Sequence, residues 1–406
     1  MLELVLPLIS KTGLSPFLLI LLIGLTAVYV IEMARHRAVL RRLPNRIHVN
    51  GTRGKSSVTR LIAAGLRAGG IRTFAKTTGS AARLIHTDGT EEPVLRRSAP
   101  NIREQLAIMQ RAAEEEADTL VIECMAVRPD LQKTTERQIV HSTVGVITNV
   151  RPDHLEVMGP TMENVALALS STIPHRGQLF TNEGPFSEFL RARAQQNSSL
   201  CHVTTPHDEP SPDQMDGFAY VEIPENVALA LDVCESMGVP RATALEGMYR
   251  VTPDVGATRQ THMSQNDKEL TFVNAFAAND RESTTQIWRL LKMHEGGDRD
   301  AILLINNRRD RMRRAVDMAQ IIAEDLVADW YVIVGDKAST FIDMAARYGV
   351  PRNKLVHMGR RNPAEVLRKL FDLTQKCGTV MGIGNMGGFG MQFVDYIEQE
   401  RSRDAS

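Results

Sequence analysis

The most continuous apolar stretch of the chain stands at its start. From Thr12 to Ile31 no residue is charged, and Phe17-Leu-Leu-Ile-Leu-Leu-Ile-Gly-Leu-Thr-Ala-Val-Tyr-Val-Ile31 is apolar almost throughout. About 20 such residues cross a bilayer as a helix. Two other readings compete. A cleaved signal peptide wants a basic start and a small-residue cleavage site, whereas only Glu3 and Lys11 are charged before the run. A core helix of a soluble domain is the third. The pattern favours a single-pass membrane anchor. Arg35, Arg37, Arg41, Arg42 and Arg46 follow at once. Positive charge flanks the cytoplasmic end of a span, so the rest of the chain is expected in the cytosol.

Beyond Pro44 and Asn45, which end that helix, short apolar runs alternate with helical patterns. Strands are expected at Arg46–Asn50, Thr119–Cys124 and Thr143–Thr148, with helices over Ser56–Ala68 and Ile102–Ala117. Strands alternating with helices predict a parallel sheet covered on both faces. Ser187 to Asp216 turns polar and proline-rich and reads as a surface excursion. A helix over Pro224–Met237, stopped by Gly238, follows. A domain boundary is placed around Thr252–Gly256. After it the alternation resumes: strands Leu270–Asn274, Ala301–Asn306, Trp330–Val334 and Thr379–Ile383, with helices Ser283–Met293, Ala315–Leu326, Ala338–Tyr348 and Pro363–Leu373. The expected divisions are 1–45, 46–253 and 254–406.

Composition changes this picture little. The 406 residues, 43% of them hydrophobic, suffice for two or three domains. The formal net charge is zero, which offers no support for a nucleic-acid partner. Cys124, Cys201, Cys234 and Cys377 lie far apart, with neither zinc nor disulfide spacing, and suit a reducing cytosol.

The chemistry is concentrated after three of the strands. Val49-Asn50-Gly51-Thr52-Arg53-Gly54-Lys55-Ser56-Ser57 joins a strand to a helix. Backbone N–H groups there can wrap a phosphate, Lys55 can reach β- and γ-phosphates, and Ser56 can place its hydroxyl on Mg²⁺. The full G-x-x-x-x-G-K-S pattern is not met, because Val49 stands at its first glycine; a glycine-rich turn with an incidental lysine is the bland alternative. Glu123 closes the strand Thr119–Cys124, at the edge where open α/β sheets bind ligands, and can hold Mg²⁺; a solvated strand end is the alternative. Asn149-Val-Arg-Pro-Asp153-His154 follows the third strand, and its imidazole can supply another metal ligand, although a lone histidine is more often structural.

Together, Asn50-Gly-Thr-Arg-Gly-Lys-Ser-Ser57, Glu123 and Asn149-Val-Arg-Pro-Asp-His-Leu-Glu-Val-Met-Gly159 resemble the Mur ligase and folylpolyglutamate synthase superfamily, with its G-T-x-G-K-[ST]-[ST] and N-x-x-x-D-H-x-x-x-[LM]-G motifs. The resemblance implies a P-loop, Mur-ligase-like central ATPase domain (46–253) and a smaller Rossmann-like α/β domain (254–406), preceded by one transmembrane helix. It implies Mg²⁺ at Ser56, Glu123 and His154, and ATP at Asn50, Gly51, Thr52, Arg53, Gly54, Lys55, Ser56, Ser57 and Asn149. Lys76-Thr-Thr78-Gly-Ser80 resembles a loop closing over the phosphates, and Arg259 an arginine near the γ-phosphate. Asn274-Ala-Phe-Ala-Ala-Asn279-Asp-Arg-Glu282 resembles D-D-Y-A-H-N-P-x-E with its acidic start, histidine and proline lost. Asn307-Arg-Arg-Asp310-Arg311 resembles G-x-x-D-R-D. These two segments add Asn279 and Asp310 to the nucleotide set. No lysine lies between Lys133 and Lys268, where many Mur ligases carry a modified lysine bridging two Mg²⁺ ions.

An anchor fused directly to the ATPase domain, and the tail Met381-Gly-Ile-Gly-Asn-Met-Gly-Gly-Phe-Gly390, resemble the ligase subunits of bacterial poly-γ-glutamate synthases (PgsB/CapB type). That implies an ATP-dependent amide ligase in the inner membrane. It would extend a glutamate chain through an acyl phosphate, with Lys55, Glu123, His154 and Arg259 as catalytic groups and release of ADP and phosphate. Small integral-membrane partner subunits are implied too, since one helix cannot form an export channel. Arg308, Arg309, Arg311, Arg313 and Arg314 could hold acidic substrate or simply be a solvated helix start. A membrane-anchored ATPase powering polymer export without bond formation is the rival reading, and an idle scaffold subunit a third.

Overall fold

The computed structural model describes residues 16–78, 82–96, 100–253, 258–276, 278, 281–291, 293, 299–309 and 312–404. Asn279, Asp310, Gly79, Ser80 and Arg311 lie outside these, as does the side chain of Arg313. The chain divides into two compact units, one ending at Val251, the other comprising Ser211–Ile223 and the residues from Thr252 onward. The short returning segment enters the second unit through a bridge, Val221 N–H to the Thr258 carbonyl at 2.9 Å.

In the first unit, α1 (Pro16–Arg42) carries the apolar run with its side chains unburied by the rest of the chain, unlike a core helix. Its last turns behave otherwise. Val39 and Leu40 pack on a core cluster that includes the fully buried Leu43, and the Arg42 guanidinium donates to the Ala113 carbonyl. Arg46, just past the break at Pro44, donates to the carbonyls of Leu43, Val140 and His141.

Eight strands follow: β1 (Asn45–Asn50), β2 (Thr73–Lys76), β3 (Arg83–Ile85), β4 (Glu91–Pro93), β5 (Thr119–Glu123), β6 (Val144–Ile147), β7 (Gln178–Asn182) and β8 (Leu200–Thr204). They lie in the order β4-β3-β2-β5-β1-β6-β7-β8. The sheet is parallel from β2 to β8, but β3 and β4 pair antiparallel, so it is mixed. The links into β3 and β4 are too short for the crossover that a parallel neighbour requires. The excursion expected over 187–216 is corrected as well. It contains a helix, Ser187–Gln196, and the edge strand β8. Their apolar signal is weak because the helix buries only Leu190 and Ala194, while Leu200 is 68% exposed at the sheet edge. One face of the sheet is covered by α2 (Lys55–Ala68), packed against helix Pro224–Ser236; Cys234 donates its thiol to the Ile62 carbonyl. The other carries α3 (Glu104–Glu114), with Ile108, Met109 and Ala112 in the core.

β1 also buries a charged pair. His48 Nδ1 lies 2.8 Å from Glu136 Oε2, both almost wholly enclosed. Glu136 stands on a π-helical turn, Thr135–Val140, and accepts from the Ser142 N–H and hydroxyl at 2.9 Å. Burial disfavours the imidazolium, but the Cys124 thiol and the Glu136 carboxylate outweigh it and raise His48 to about 9.

The second unit holds β9 (Arg259–Gln265), β10 (Lys268–Asn274), β11 (Arg299–Asn307), β12 (Trp330–Gly335), β13 (Leu355–Gly359) and β14 (Cys377–Gly384), ordered β13-β12-β11-β14-β10-β9. Only β9 is antiparallel among the described pairings. It joins β10 through Asn266-Asp267, both at positive φ (49° and 60°), a two-residue turn whose twist suits a hairpin. Trp288, Ala319 and Phe341 fill one face, Phe272, Leu370 and Phe393 the other. The helices after β11 and β14, Met312–Glu324 and Phe389–Asp404, thus leave neighbouring strands for opposite faces, opening a crevice between the strand tips.

Candidate active site

Three adjacent parallel strands, β5, β1 and β6, end side by side: Val49 pairs with Glu123 and Asn50 with Ile147. Residues 51–54 leave the tip of β1 and turn into α2. Gly51 takes φ +132° with Thr148 pressed against it: an added Cβ would lie 2.0 Å from Thr148 Oγ1. Gly54 takes φ +78°, and a Cβ there would meet the Asn226 carboxamide at 2.7 Å. Gly54 is the N-cap of α2, with no side-chain cap, so the first N–H groups of the helix can serve an anion. Lys55 reaches back over this turn, Nζ donating to the carbonyls of Gly51 at 2.7 Å and Thr52 at 3.2 Å. Gly51→Ala would force a positive φ on alanine against backbone and hydroxyl; nucleotide affinity, measured by calorimetry, is expected to fall at least about tenfold.

At the tip of β5, Glu123 is a junction of oxygen ligands. Its Oε2 accepts the Ser56 hydroxyl at 2.9 Å and the Thr78 N–H at 2.6 Å, and Oε1 accepts the Thr78 hydroxyl. The sequence motif points to Ser56 and Glu123; the direct tie to Thr78, from the loop after β2, emerges from the fold. Beneath that loop, Lys76 is fully buried, 3.2 Å from Glu104. Burial draws its ammonium below the ordinary value, with Glu104 opposing.

After β6, Asn149 binds the loop from the side: its Oδ1 accepts the Thr52 hydroxyl at 2.6 Å and the Arg53 N–H at 3.1 Å. Arg53 pairs with Asp153 at 3.7 Å. His154 sits in the left-handed region (φ 45°) at the head of a short helix, 48% exposed, with Glu156 at 3.4 Å and Asp153 at 3.9 Å as its partners. The expected Ser56–Glu123–His154 triad is therefore joined in its first two members, while the imidazole engages neighbours in its own loop. Among the described residues no group of three or more His, Cys, Asp or Glu side chains converges to hold a metal. Asn50, another expected nucleotide contact, turns its buried amide to Gln132 at 2.9 Å and Thr172 at 3.2 Å, so that side chain braces the loop. Ser57 lies in the first turn of α2.

In the second unit, Arg259 opens β9, 3.6 Å from Glu398. The strand-tip crevice, about 430 Å³, is lined by Arg308, Asp336, Arg360 and Gly387 among others. Asn306 Nδ2 donates to the carbonyls of Asn385 and Gly387, and Arg314 donates to Asn385 Oδ1 at 3.1 Å. The glycine-rich tail is thus pinned as part of this crevice, and a Cβ on Gly387 would strike the Arg308 guanidinium at 2.4 Å. The expected arginine cluster separates: Arg308 lines the crevice, whereas Arg314 is a brace.

This arrangement has relatives. Residues 49–227 match the Mur ligase middle domain, and residues 260–400 match the poly-gamma-glutamate synthase CapB C-terminal domain. The chain is 33% identical over 400 residues to the capsule biosynthesis protein CapB of Bacillus anthracis, covering 97% of this chain and 86% of the relative. The chain belongs to the CapB family of poly-γ-glutamate synthases. A second CapB-family member, the PGA synthase CapB of Bacillus subtilis (strain 168), is 32% identical over 91% of this chain and 94% of its own. Solved structures share the fold. The bifunctional folylpolyglutamate synthase/dihydrofolate synthase of Yersinia pestis, complexed with AMPPNP and Mn ion, superposes with a TM-score of 0.65 at 14% identity, over 90% of this chain and 92% of that one. MurF of Acinetobacter baumannii gives 0.63 at 15%, over 90% and 79%.

The residues present fit a magnesium nucleotide. Mg²⁺ prefers hard oxygen donors, keeps several waters and needs only one or two protein carboxylates beside phosphate oxygens. The Ser56 hydroxyl and Glu123 carboxylate, 2.9 Å apart beside the uncapped N-terminus of α2, supply such a set.

Proposed function

We propose that this protein is an ATP-dependent amide ligase that extends poly-γ-glutamate. The observation that carries the reading is the union of two things in one chain. A phosphate-binding turn with its Ser56–Glu123 oxygen pair stands at the strand tips, and the chain has a near-full-length relationship to CapB proteins.

The phosphate tail of ATP lies along Gly51–Ser57, where the N–H groups of α2 and the Lys55 ammonium take up charge developing on the transferred phosphoryl group. Mg²⁺, held by Ser56 and Glu123, would neutralise the phosphates. The terminal carboxylate of the glutamate chain attacks the γ-phosphorus, ADP leaves, and an acyl phosphate forms. The neutral amine of the next glutamate then attacks the acyl carbon, inorganic phosphate departs, and the amine loses a proton as the amide forms. No side-chain nucleophile is required. The crevice of the second unit, with Arg308 and Arg360, suits the carboxylates of an incoming acidic amino acid. His154, now paired with Glu156, would join Ser56 and Glu123 around the metal only on leaving that partner. We place α1 across the cytoplasmic membrane with both units in the cytosol, beside small membrane subunits that export the polymer.

Membranes carrying the protein, incubated with Mg²⁺-ATP and labelled glutamate, are expected to yield γ-linked polymer with ADP formed in step with incorporation. ATP hydrolysis indifferent to glutamate would instead establish an export ATPase.

A further inference from the structure

The edge of the first sheet opposite the phosphate turn carries a second cavity, of about 310 Å³. Its wall carries three guanidinium groups, Arg46, Arg137 and Arg176, with the imidazoles of His141 and His175 beside them, and burial holds His141 below its ordinary value. The acid among them, Glu136, is hydrogen-bonded to buried His48. These residues stand at the start of β1, at the end of the π-helical turn and just ahead of β6 and β7. The Arg46 guanidinium is saturated by backbone carbonyls, with burial drawing it below its ordinary value and nearby Glu136 opposing. Arg137 and Arg176 are exposed at the rim. The cavity therefore asks for an anion.

Its position says which kind. His36 of α1 is hydrogen-bonded to the Ile139 carbonyl at 2.8 Å, and its ring centre lies 6.3 Å from that of His141 in the cavity wall. Ile31, the end of the apolar run, is five residues earlier, about 7.5 Å of helix rise. The polar layer on each side of a bilayer is about 5–7 Å deep. The link between span and unit is stiff, because Leu43 is fully buried and Arg46 ties the turn to Val140 and His141. With α1 upright across a bilayer, the cavity wall therefore stands at the outer margin of the polar layer, within reach of lipid headgroups.

We propose that this cavity binds the phosphate of an anionic lipid headgroup, fixing the orientation of the first unit against the membrane. The inference rests on α1 spanning the bilayer. A membrane-proximal Arg gains on the order of 1 kcal/mol from anionic lipid, so loss of two corresponds to about thirtyfold.

The test uses the full chain in phosphatidylcholine vesicles doped with phosphatidylglycerol, with retained lipids counted by native mass spectrometry after extraction. The wild type is expected to retain phosphatidylglycerol selectively, and the Arg137→Ala/Arg176→Ala double variant to lose about thirtyfold of that preference. Excess inorganic phosphate should leave the preference unchanged; competition by phosphate would show a free-anion site and overturn the lipid assignment. Equal retention by wild type and double variant overturns the proposal, as does a loss produced instead by Arg35→Ala/Arg37→Ala on the helix. Protein stripped from vesicles by alkaline carbonate would overturn the anchor and this inference together, whereas integral protein without headgroup preference would overturn this inference alone.

Discussion

Replacing Lys55 by alanine is expected to lower ATP-dependent glutamate incorporation by about a hundred- to a thousandfold, the usual cost of deleting one preorganised charge aimed at a transition state. The ammonium is already held over the turn by the Gly51 and Thr52 carbonyls, so little reorganisation is needed to meet a phosphate. Those two bonds are worth little to folding, and the variant should melt within a few degrees of the wild type. Lys55→Arg is not a rescue, because a planar guanidinium cannot occupy the point-charge position. Incorporation by Lys55→Ala within threefold of the wild type, at saturating ATP, would remove the phosphate turn from the mechanism.

Glu136→Ala should destabilise the first unit by about 3–5 kcal/mol, because it removes one half of a buried ion pair and leaves His48 enclosed. Ser142 loses an acceptor for both its N–H and its hydroxyl at the same time. In a unit of this size about 4 kcal/mol corresponds to roughly 10 °C in melting temperature. The pair also sets a pH dependence. The folded pKa of His48 is raised to about 9. The folded state therefore binds a proton that the unfolded chain, titrating near 6.5, releases first. The stabilisation is complete below about 6.5, declines as pH rises, and is gone above about 9, a loss of roughly 3 kcal/mol. Melting curves from pH 6 to 10 should slope downward for the wild type and flatten for Glu136→Ala. A flat wild-type curve would mean that the histidine is neutral throughout.

Much of this was legible along the chain because it is local. Twenty uncharged residues followed by five arginines describe a candidate membrane span with a basic flank, and the run's side chains remain unburied in the fold. Gly51 and Gly54 between a buried strand and a helix describe a phosphate turn, and both glycines occupy positive φ. Glu123 was legible as a carboxylate at a strand end because an apolar run of strand length stops there. Weakly patterned edge elements were not: β8 is partly and β9 mostly exposed, so they carry little hydrophobic signal, and a helix and strand hid inside a proline-rich stretch.

The sequence by itself therefore determined the apolar N-terminal helix, the two α/β alternations and which polar groups stand at the tips of β1 and β5, since each depends on residues adjacent in the chain. Only the tertiary structure decided which polar groups meet across it. It gave Thr78 to Glu123, turned Asn50 away to Gln132, left His154 beside Glu156, enclosed His48 with Glu136, and set an arginine-lined cavity next to α1. Those partners lie in separate loops, and strand order and register, fixed by packing both faces of the sheets, choose among them.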